Sequence, residues 1–292
     1  MRLLAIDTST LMASVAIAMA ERSPAPTLHV LAWGESDVDT HSDRLLPLID
    51  SVLRESGMKL TDISEIAVGA GPGSFTGLRI GMATAKGLAF AGDKPLRQVS
   101  SLAALAMDAA HPPDTGVRST AAARALLVPV LDARRREVFA GFYRLAAEKP
   151  DDPGTSPEAI SRPPPRGGCI ARRSNTPLEQ VAAERVLPPH ELGPAVRQLV
   201  DALGVPGAFL TGDGVDAYAE ELATAGVLAS ESRRTPSAVS VARLTLLNDN
   251  LPDVLLSGAP VYIRPSEAEL KFPKGNPGGT FSKPKGNKRG RT

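Results

Sequence analysis

Leu3-Leu4-Ala5-Ile6-Asp7-Thr8-Ser9-Thr10 is a short apolar run that ends in an acid and gives way to a polar turn. After it, Ser14 to Met19 resumes an apolar, partly β-branched segment, so the two runs read as antiparallel strands. Working outward, Leu28 to Trp33 reads as a third strand. Leu45, Leu46, Leu48, Ile49, Val52 and Leu53 then recur at helical spacing, with Ser42 or Asp43 as the N-cap and Gly57 as the stop. Pro47 falls near the first turn, where its missing donor costs least. Ile63 to Ala70 reads as a strand, Gly71-Pro72-Gly73-Ser74 as a turn, and Phe75 to Phe90 as a helix of apolar and small residues.

A similar order returns later in the chain. Leu126 to Leu131 is an apolar run ending in Asp132, followed by a turn and a strand over Glu137 to Leu145. Arg166 to Ala171 reads as a third strand, Glu191 to Leu203 as a helix, Ala208 to Thr211 as a strand, and Gly214 opens another helix after a glycine turn. Asp7 answers Asp132, and Gly71 to Gly73 answers Gly212 to Gly214. Strand-turn-strand units ending in Asp, repeated in two α/β halves, suggest two tandem ribonuclease-H-like lobes of the actin, Hsp70 and sugar-kinase type. That analogy licenses no activity. The expected division is a first lobe over 1–99, a second over 100–265, and a disordered basic tail over 266–292. Within the second lobe, about 146–189 is dense in Pro, Arg and Gly and reads as a loose excursion with at most one short strand.

The chain has 292 residues, 42% hydrophobic and 22% charged, the range of an ordinary globular protein. The single Cys169 excludes an intrachain disulfide and a multi-cysteine zinc site, and makes cytoplasm the expected location. No uncharged apolar run approaches the roughly 20 residues of a membrane helix, so no membrane role is expected. Met1-Arg2 and the apolar residues after it fail as a secretory signal because Asp7 interrupts them. From Lys271 onward there are seven Lys or Arg and no acid, leaving 26 basic against 32 acidic residues before it, a balance of −6.

Gly71-Pro72-Gly73-Ser74-Phe75-Thr76-Gly77-Leu78-Arg79-Ile80-Gly81 is the most unusual stretch. Glycines before a helix N-terminus can cradle an anion, yet no Lys follows as in a Walker loop, Thr76 stands where a third Rossmann glycine would, and no nucleophile elbow surrounds Ser74. The alternative is that Gly77, Gly81 and Ala85 form a bare helical stripe for close packing, because interior glycines cost about 1 kcal/mol each and need compensation. Spacing leaves open whether the partner is the chain's own Leu45 to Leu53 helix or another protein. Asp7 with Thr8 and Ser9 stands where sugar-kinase-like folds place a first phosphate loop, and Asp132-Ala133-Arg134 where they place a second. Neither acid is followed by the glycine that lets amides approach a phosphate, which makes Asp7, Thr8, Ser9, Gly71 and Gly73 a weak anion or nucleotide site. His29, His41, His111 and His190 share no helical face, so no metal site and no catalytic set are expected. The tail, with Phe272 and Phe281 among its bases, has the composition of an RNA contact.

Leu4 to Ser9, His41-Ser42-Asp43-Arg44-Leu45-Leu46-Pro47, Gly71 to Gly81, Leu131 to Arg134 with Glu137-Val138, and Pro260-Val261-Tyr262-Ile263-Arg264 together resemble the bacterial threonylcarbamoyladenosine biosynthesis protein B family, also called TsaB or YeaZ. The resemblance runs from Met1 to about Arg264, thinly between Ala146 and Ser257, and nothing is carried onto the Pro-rich middle or the tail. It implies two actin-like lobes without a working active site, acting as a scaffold for a paralogous metal-binding transferase. That transferase modifies adenosine 37 of tRNAs reading ANN codons. It further implies an ATPase subunit, self-pairing into a homodimer when the chain is alone, tRNA met through the complex, and ATP or ADP only at the subunit junction. The implied interface is a bundle of the helices Ser42 to Ser56 and Ser74 to Phe90, with Leu45, Leu46, Ile49, Val52, Leu53, Ser74, Phe75, Gly77, Leu78, Gly81 and Ala85 as its residues. On that reading Gly81→Trp blocks the bundle and leaves the fold. The competing reading is a nucleotide-dependent phosphotransferase of the sugar-kinase type.

Overall fold

The computed structural model describes residues 1–21, 27–37, 41–113, 119–120, 122–146, 170–173, 177–223, 228–229, 233–248 and 250–264. The chain opens with strands β1 (Arg2–Asp7), β2 (Met12–Glu21) and β3 (Thr27–Asp37), helix α1 (His41–Glu55), strand β4 (Glu65–Gly69), helix α2 (Phe75–Ala91), strand β5 (Leu96–Val99) and helix α3 (Ser101–Ala110). It continues with β6 (Leu126–Arg134), β7 (Glu137–Leu145), β8 (Ile170–Arg173), β9 (Leu178–Leu187), α4 (Pro189–Leu203), β10 (Ala208–Thr211), α5 (Asp213–Ala217), α6 (Ala219–Ala223), β11 (Leu228–Ala229) and α7 (Ala238–Leu247).

Two mixed sheets result, ordered β5-β4-β1-β2-β3-β8 and β11-β10-β6-β7-β9. In each, the first strand of the repeat pairs antiparallel with the second and parallel with a later one: β1 with β2 and β4, β6 with β7 and β10. This is the duplicated layout that the Asp7 and Asp132 runs suggest. Leu3, Leu4, Ala5 and Ile6 are fully buried, as a central strand covered on both faces requires.

The covering layers are exchanged between the lobes. Helix α3 follows β5 of the first sheet, yet Leu102, Leu105, Ala106 and Ala110 pack on Leu127, Leu131, Phe139 and Tyr143 of the second. Helix α7 comes late in the chain, yet Ala238, Val239, Val241, Ala242 and Leu246 close the underside of the first sheet against Leu3, Ala5, Ala16, Ala18 and Ala67. A seam joins the two helices. Asp108 of α3 is fully buried and accepts from the Ser237 amide at 2.7 Å and from the hydroxyls of Ser237 and Ser240 at 2.5 and 2.6 Å. Burial, only partly offset by these bonds, pushes its carboxyl up to about 7. Arg233 reaches across to Glu35 of β3 and lies over the Trp33 ring.

The segment after α7 also returns to the first lobe. Val254 donates to the Leu96 carbonyl at 2.8 Å and Asp253 accepts from the Leu96 amide at 3.1 Å, so the β5 edge is covered by chain. The division at residue 99 therefore separates neither the sheets nor the packing units, because β8, α7 and residues 251–261 belong physically to the first lobe.

Three sequence expectations need revising. The third strand of the second sheet is β9, ten residues long, which lies inside the stretch expected to be a loose excursion as far as 189. Its alternation of half-buried and exposed positions over LEQVAAERVL is a strand signal, masked by the Pro-rich residues before it. Second, β8 overlaps the strand expected at Arg166 to Ala171, but it pairs with β3 of the first sheet. Third, the glycine-led helix expected at Gly214 is two five-residue helices, α5 and α6. Most of the Pro-rich middle, and the tail with its expected disorder, lie outside the described residues.

Candidate functional site

Helix α2 begins at Ser74, whose hydroxyl accepts from the Gly77 amide at 3.2 Å. Its inner face carries Gly77, Leu78, Gly81, Met82, Ala85 and Ala89, all buried. A Cβ on Gly77 would stand 2.1 Å from the Thr8 carbonyl oxygen, one on Gly81 2.1 Å from Thr8 Oγ1, and one on Gly73 2.1 Å from the Ser9 carbonyl oxygen. The small residues thus let the helix lie directly on the Thr8–Ser9 turn, locked by Thr8 Oγ1 donating to the Gly77 carbonyl at 2.8 Å and the Ser74 amide donating to Ser9 O at 2.6 Å.

Within the chain itself the expected interface residues already have neighbours. Gly77 and Gly81 lie against the chain's own β1–β2 turn, and Ala85 lies in the first-lobe core with α1. Leu45, Ile49, Val52 and Leu53 of α1 lie in the first-lobe core with Ile6, Val15 and Val68, and Leu78 is buried as well. Burial of each large aliphatic contributes about 1.5–3 kcal/mol to the fold. Gly81→Trp would break the lobe rather than leave it intact. Of the expected interface residues, Leu46 and Phe75 are exposed, at 55% and 40%, and Ser74 is half-buried.

The opposite face of α2 is where the helix is bare. Thr76, Arg79, Ala83, Gly87 and Phe90 are exposed at intervals of three and four, one stripe about 21 Å long. Phe90 is 77% exposed, and a Cβ on Gly87 would meet nothing within 4 Å. A helix that is small or apolar all round is normally covered all round; this one is covered on one side. At its start, Arg79 lies 3.8 Å over the Phe75 ring and its Nε donates to the Tyr262 hydroxyl at 3.1 Å, while Phe75 and Tyr262 have ring centroids 5.1 Å apart. Arg79, Ala83, Gly87, Phe90 and Tyr262 were missed from sequence. The signal was present as the second phase of the helical period, hidden by the more conspicuous glycines of the first.

The expected anion residues come together without an open seat. Asp7 is fully buried; its carboxylate accepts from the Ser9 amide at 2.9 Å, the Ser9 hydroxyl at 2.7 Å and the Ser101 hydroxyl at 2.7 Å. Burial raises its pKa against these three bonds. Ser101 Oγ also accepts from the Gly71 amide at 3.1 Å, and Gly71 takes φ 101°, open to glycine alone at little cost. Thr8 and Ser9 are buried too.

In the second lobe Asp132 keeps 15% of its side chain exposed and accepts from the Arg134 amide at 2.8 Å and the Tyr218 hydroxyl at 3.3 Å. Asp213 accepts from the Asp132 amide at 2.9 Å, and burial, followed by the Asp132 charge, raises its pKa. The β6–β7 turn that follows holds Arg134, Arg135 and Arg136 at φ 61°, 56° and 61°. The left-handed region costs an ordinary residue about 1–2 kcal/mol. Pro260–Arg264 ties the two loop ends together: Val261 donates to Ala70 O at 2.7 Å, and Arg264 Nη1 donates to Ala133 O at 2.8 Å and lies 3.4 Å from Glu137.

Among the described residues no three His, Cys, Asp or Glu converge as metal ligands, and no helix is long and apolar enough to cross a membrane. His111 is buried and its carbonyl accepts from Arg243, whereas the His190 side chain is 73% exposed.

A family model described as tRNA N6-adenosine threonylcarbamoyltransferase matches residues 35–159. The tRNA threonylcarbamoyladenosine biosynthesis protein TsaB of Haemophilus influenzae is 38% identical over 149 residues, 50% of this chain and 55% of that protein. The protein of the same description from Escherichia coli is 37% identical over 152 residues, 49% of this chain and 55% of its own length. The chain thus spans about half the length of the curated relatives it matches. A tRNA N6-adenosine threonylcarbamoyltransferase of Sphingopyxis alaskensis is 45% identical over 62 residues, 21% of this chain and 18% of that enzyme. Among solved structures, an uncharacterized Pseudomonas aeruginosa protein with similarity to peptidase YEAZ superposes with a TM-score of 0.62 at 26% identity, covering 90% of this chain and 99% of that one. YeaZ from the same organism superposes at 0.56 and 27% identity, over 84% and 91%. Identity over about half the chain, and a shared layout over most of it, lead to one conclusion: the chain is similar to proteins of the TsaB (YeaZ) family.

Proposed function

We propose that this chain is a non-catalytic scaffold subunit in the formation of N6-threonylcarbamoyladenosine in tRNA, and that it works by docking a paralogous transferase through the outer face of α2. The observation that carries the reading is the bare stripe Thr76-Arg79-Ala83-Gly87-Phe90 on a helix whose other face is already committed. Small residues in its middle admit a helix of the partner at close range, and Phe75, Phe90 and Leu46 supply anchors of the kind that dominate interface energies. A transferase with a related first lobe would offer a similar helix, and the match to a transferase family model supports that choice. An ATPase subunit, self-pairing through the same face, tRNA met through the complex, a cytoplasmic location, and ATP or ADP only at the subunit junction complete the proposal.

The phosphotransferase alternative draws less support, because Asp7 spends its carboxylate on Ser9 and Ser101, and the turn after it spends Ser9 O and Thr8 Oγ1 on α2.

Light scattering on a sizing column tests the docking, using the chain with its organism's transferase paralogue and each alone. A one-to-one species is expected. Ala83→Glu, on the open face, should reduce association at least about tenfold and change stability by less than about 0.5 kcal/mol. Unchanged association by that variant removes α2 from the interface; no association by the wild type, with ATP and the ATPase subunit present, removes the scaffold role.

A further inference from the structure

The geometry points to a second working surface, on the other lobe: the β6–β7 turn Arg134-Arg135-Arg136 as a contact for the phosphate backbone of RNA. The choice of RNA rests on the proposed role in tRNA modification.

Nothing in the fold asks for arginine here. A hairpin can be closed by Asn-Gly, which enters the left-handed region with little strain, yet this turn sets three arginines there in succession. All three are exposed, Arg134 and Arg136 with 70% and 86% of their side chains open. Acids facing them include Asp132, 3.1 Å from Arg134, Asp213, which also feels the Arg134 charge, Glu221, 3.8 Å from Arg136, and Glu137, which is engaged by Arg264. The guanidinium ends of Arg134 and Arg136 stay open to solvent, which screens these pairs, so a phosphate, which matches the guanidinium fork in two bonds, can compete with them.

A second observation is independent of the turn's conformation. Arg264 is fastened to this turn through Ala133 O and Glu137. It thus adds a fourth guanidinium beside the three of the turn, one held by the chain's own hydrogen bond and ion pair. Cation placed this way binds phosphate without reading sequence, and the affinity falls steeply with salt.

The test is anisotropy of a fluorescein-labelled, unmodified tRNA transcript titrated with the full chain, alone and with the transferase paralogue, at 50 and 200 mM NaCl (about a fourfold span of the counterion effect). The triple variant Arg134→Asn, Arg135→Asn, Arg136→Asn keeps residues that accept the left-handed region, so the fold should hold, with a melting temperature equal to or above wild type as the check. Its affinity for tRNA should fall at least about tenfold, and its slope of log affinity against log salt should flatten by about two to three. The triple Lys variant, which keeps the charge, should bind within about threefold of wild type. Equal binding by the Asn variant, loss in both variants alike, or no tRNA binding by wild type in either form overturns the proposal. So does an Asn variant that holds tRNA but no longer associates with the paralogue, because the turn is then a protein contact. If the paralogue never docks but the Asn and Lys results stand, the scaffold reading fails and the RNA contact remains.

Discussion

The first and second lobes share a topology and carry the same residue at or near the end of their leading strands, yet they treat that residue in opposite ways. Asp7 is roofed by the 17-residue helix α2, seated on glycines that bring it within contact of Thr8 and Ser9. Asp132 is followed by an exposed arginine turn, and the helix at the corresponding glycines, α5, has five residues and cannot form a roof. A duplicated fold can therefore keep its acids and change what they face. One lobe turns the old cleft inward as core and leaves a bare helix outside, and the other leaves the strand end open to solvent.

The largest effect should come from forcing the roof off. Gly77→Val places Cβ 2.1 Å from the Thr8 carbonyl oxygen, a backbone atom that cannot step aside. A loss of about 3–5 kcal/mol by urea denaturation is expected. Gly214→Val in the second lobe first meets Val130 Cγ1 at 2.8 Å and should cost less. Equal losses would mean that the two glycine turns are under the same constraint, and the comparison would fail.

The next effect concerns the seam between the lobes. Asp108, pushed up to about 7 by burial, holds a proton in the folded chain that the unfolded chain releases near pH 4. Its contribution is thus most favourable at acid pH and is lost as pH rises from about 4 to 7, at up to about 1.4 kcal/mol per unit. Asp7 and Asp213, also raised by burial, add the same sign in either protein. Asp108→Asn should cancel the seam's share, so urea midpoints at pH 5 and pH 7.5 should differ less in the variant than in wild type. Parallel profiles would show that Asp108 is ionised throughout.

The smallest effect sharpens the view of α2 as a helix with one open side. Gly87→Ala adds a Cβ that meets nothing within 4 Å and should stabilise the isolated chain by about 0.5–1 kcal/mol. If the open side is a docking face, the same methyl should weaken the complex.

The repeat was legible because local pattern encodes it: an apolar run, an acid, a turn and a second run fixed β1, β2, β6 and β7. The spans of α1, α2 and α4 were legible for the same reason. Which face of α2 points inward was not, since both phases of its period are small or apolar, and only the position of the Thr8–Ser9 turn breaks the tie. That contact joins residues about 70 apart. Helix α7 was missed as a cover for the first sheet for a similar reason: its sequence, Ala238 to Leu247, is as apolar as any core helix, and nothing local says which of two sheets it will meet. The Arg134-Arg135-Arg136 turn reads as a hairpin, but its left-handed backbone is set by the Asp132 carboxylate capping the Arg134 amide.

The exchange of α3 and α7 also has a temporal side. As the chain leaves the ribosome, β1 to β5 of the first sheet can pair once β5 has emerged, but most of the sheet's underside is closed by residues 238–246, nearly 140 positions later. Through that interval Leu3, Ala5, Ala16 and Ala67 are an apolar floor that α3, the helix next in line, meets through Ala104 while Leu102, Leu105, Ala106 and Ala110 are bound for the other sheet. The cover of the earliest-made strands is thus among the last to be made, and a chain cut short before α7 leaves them unsheltered.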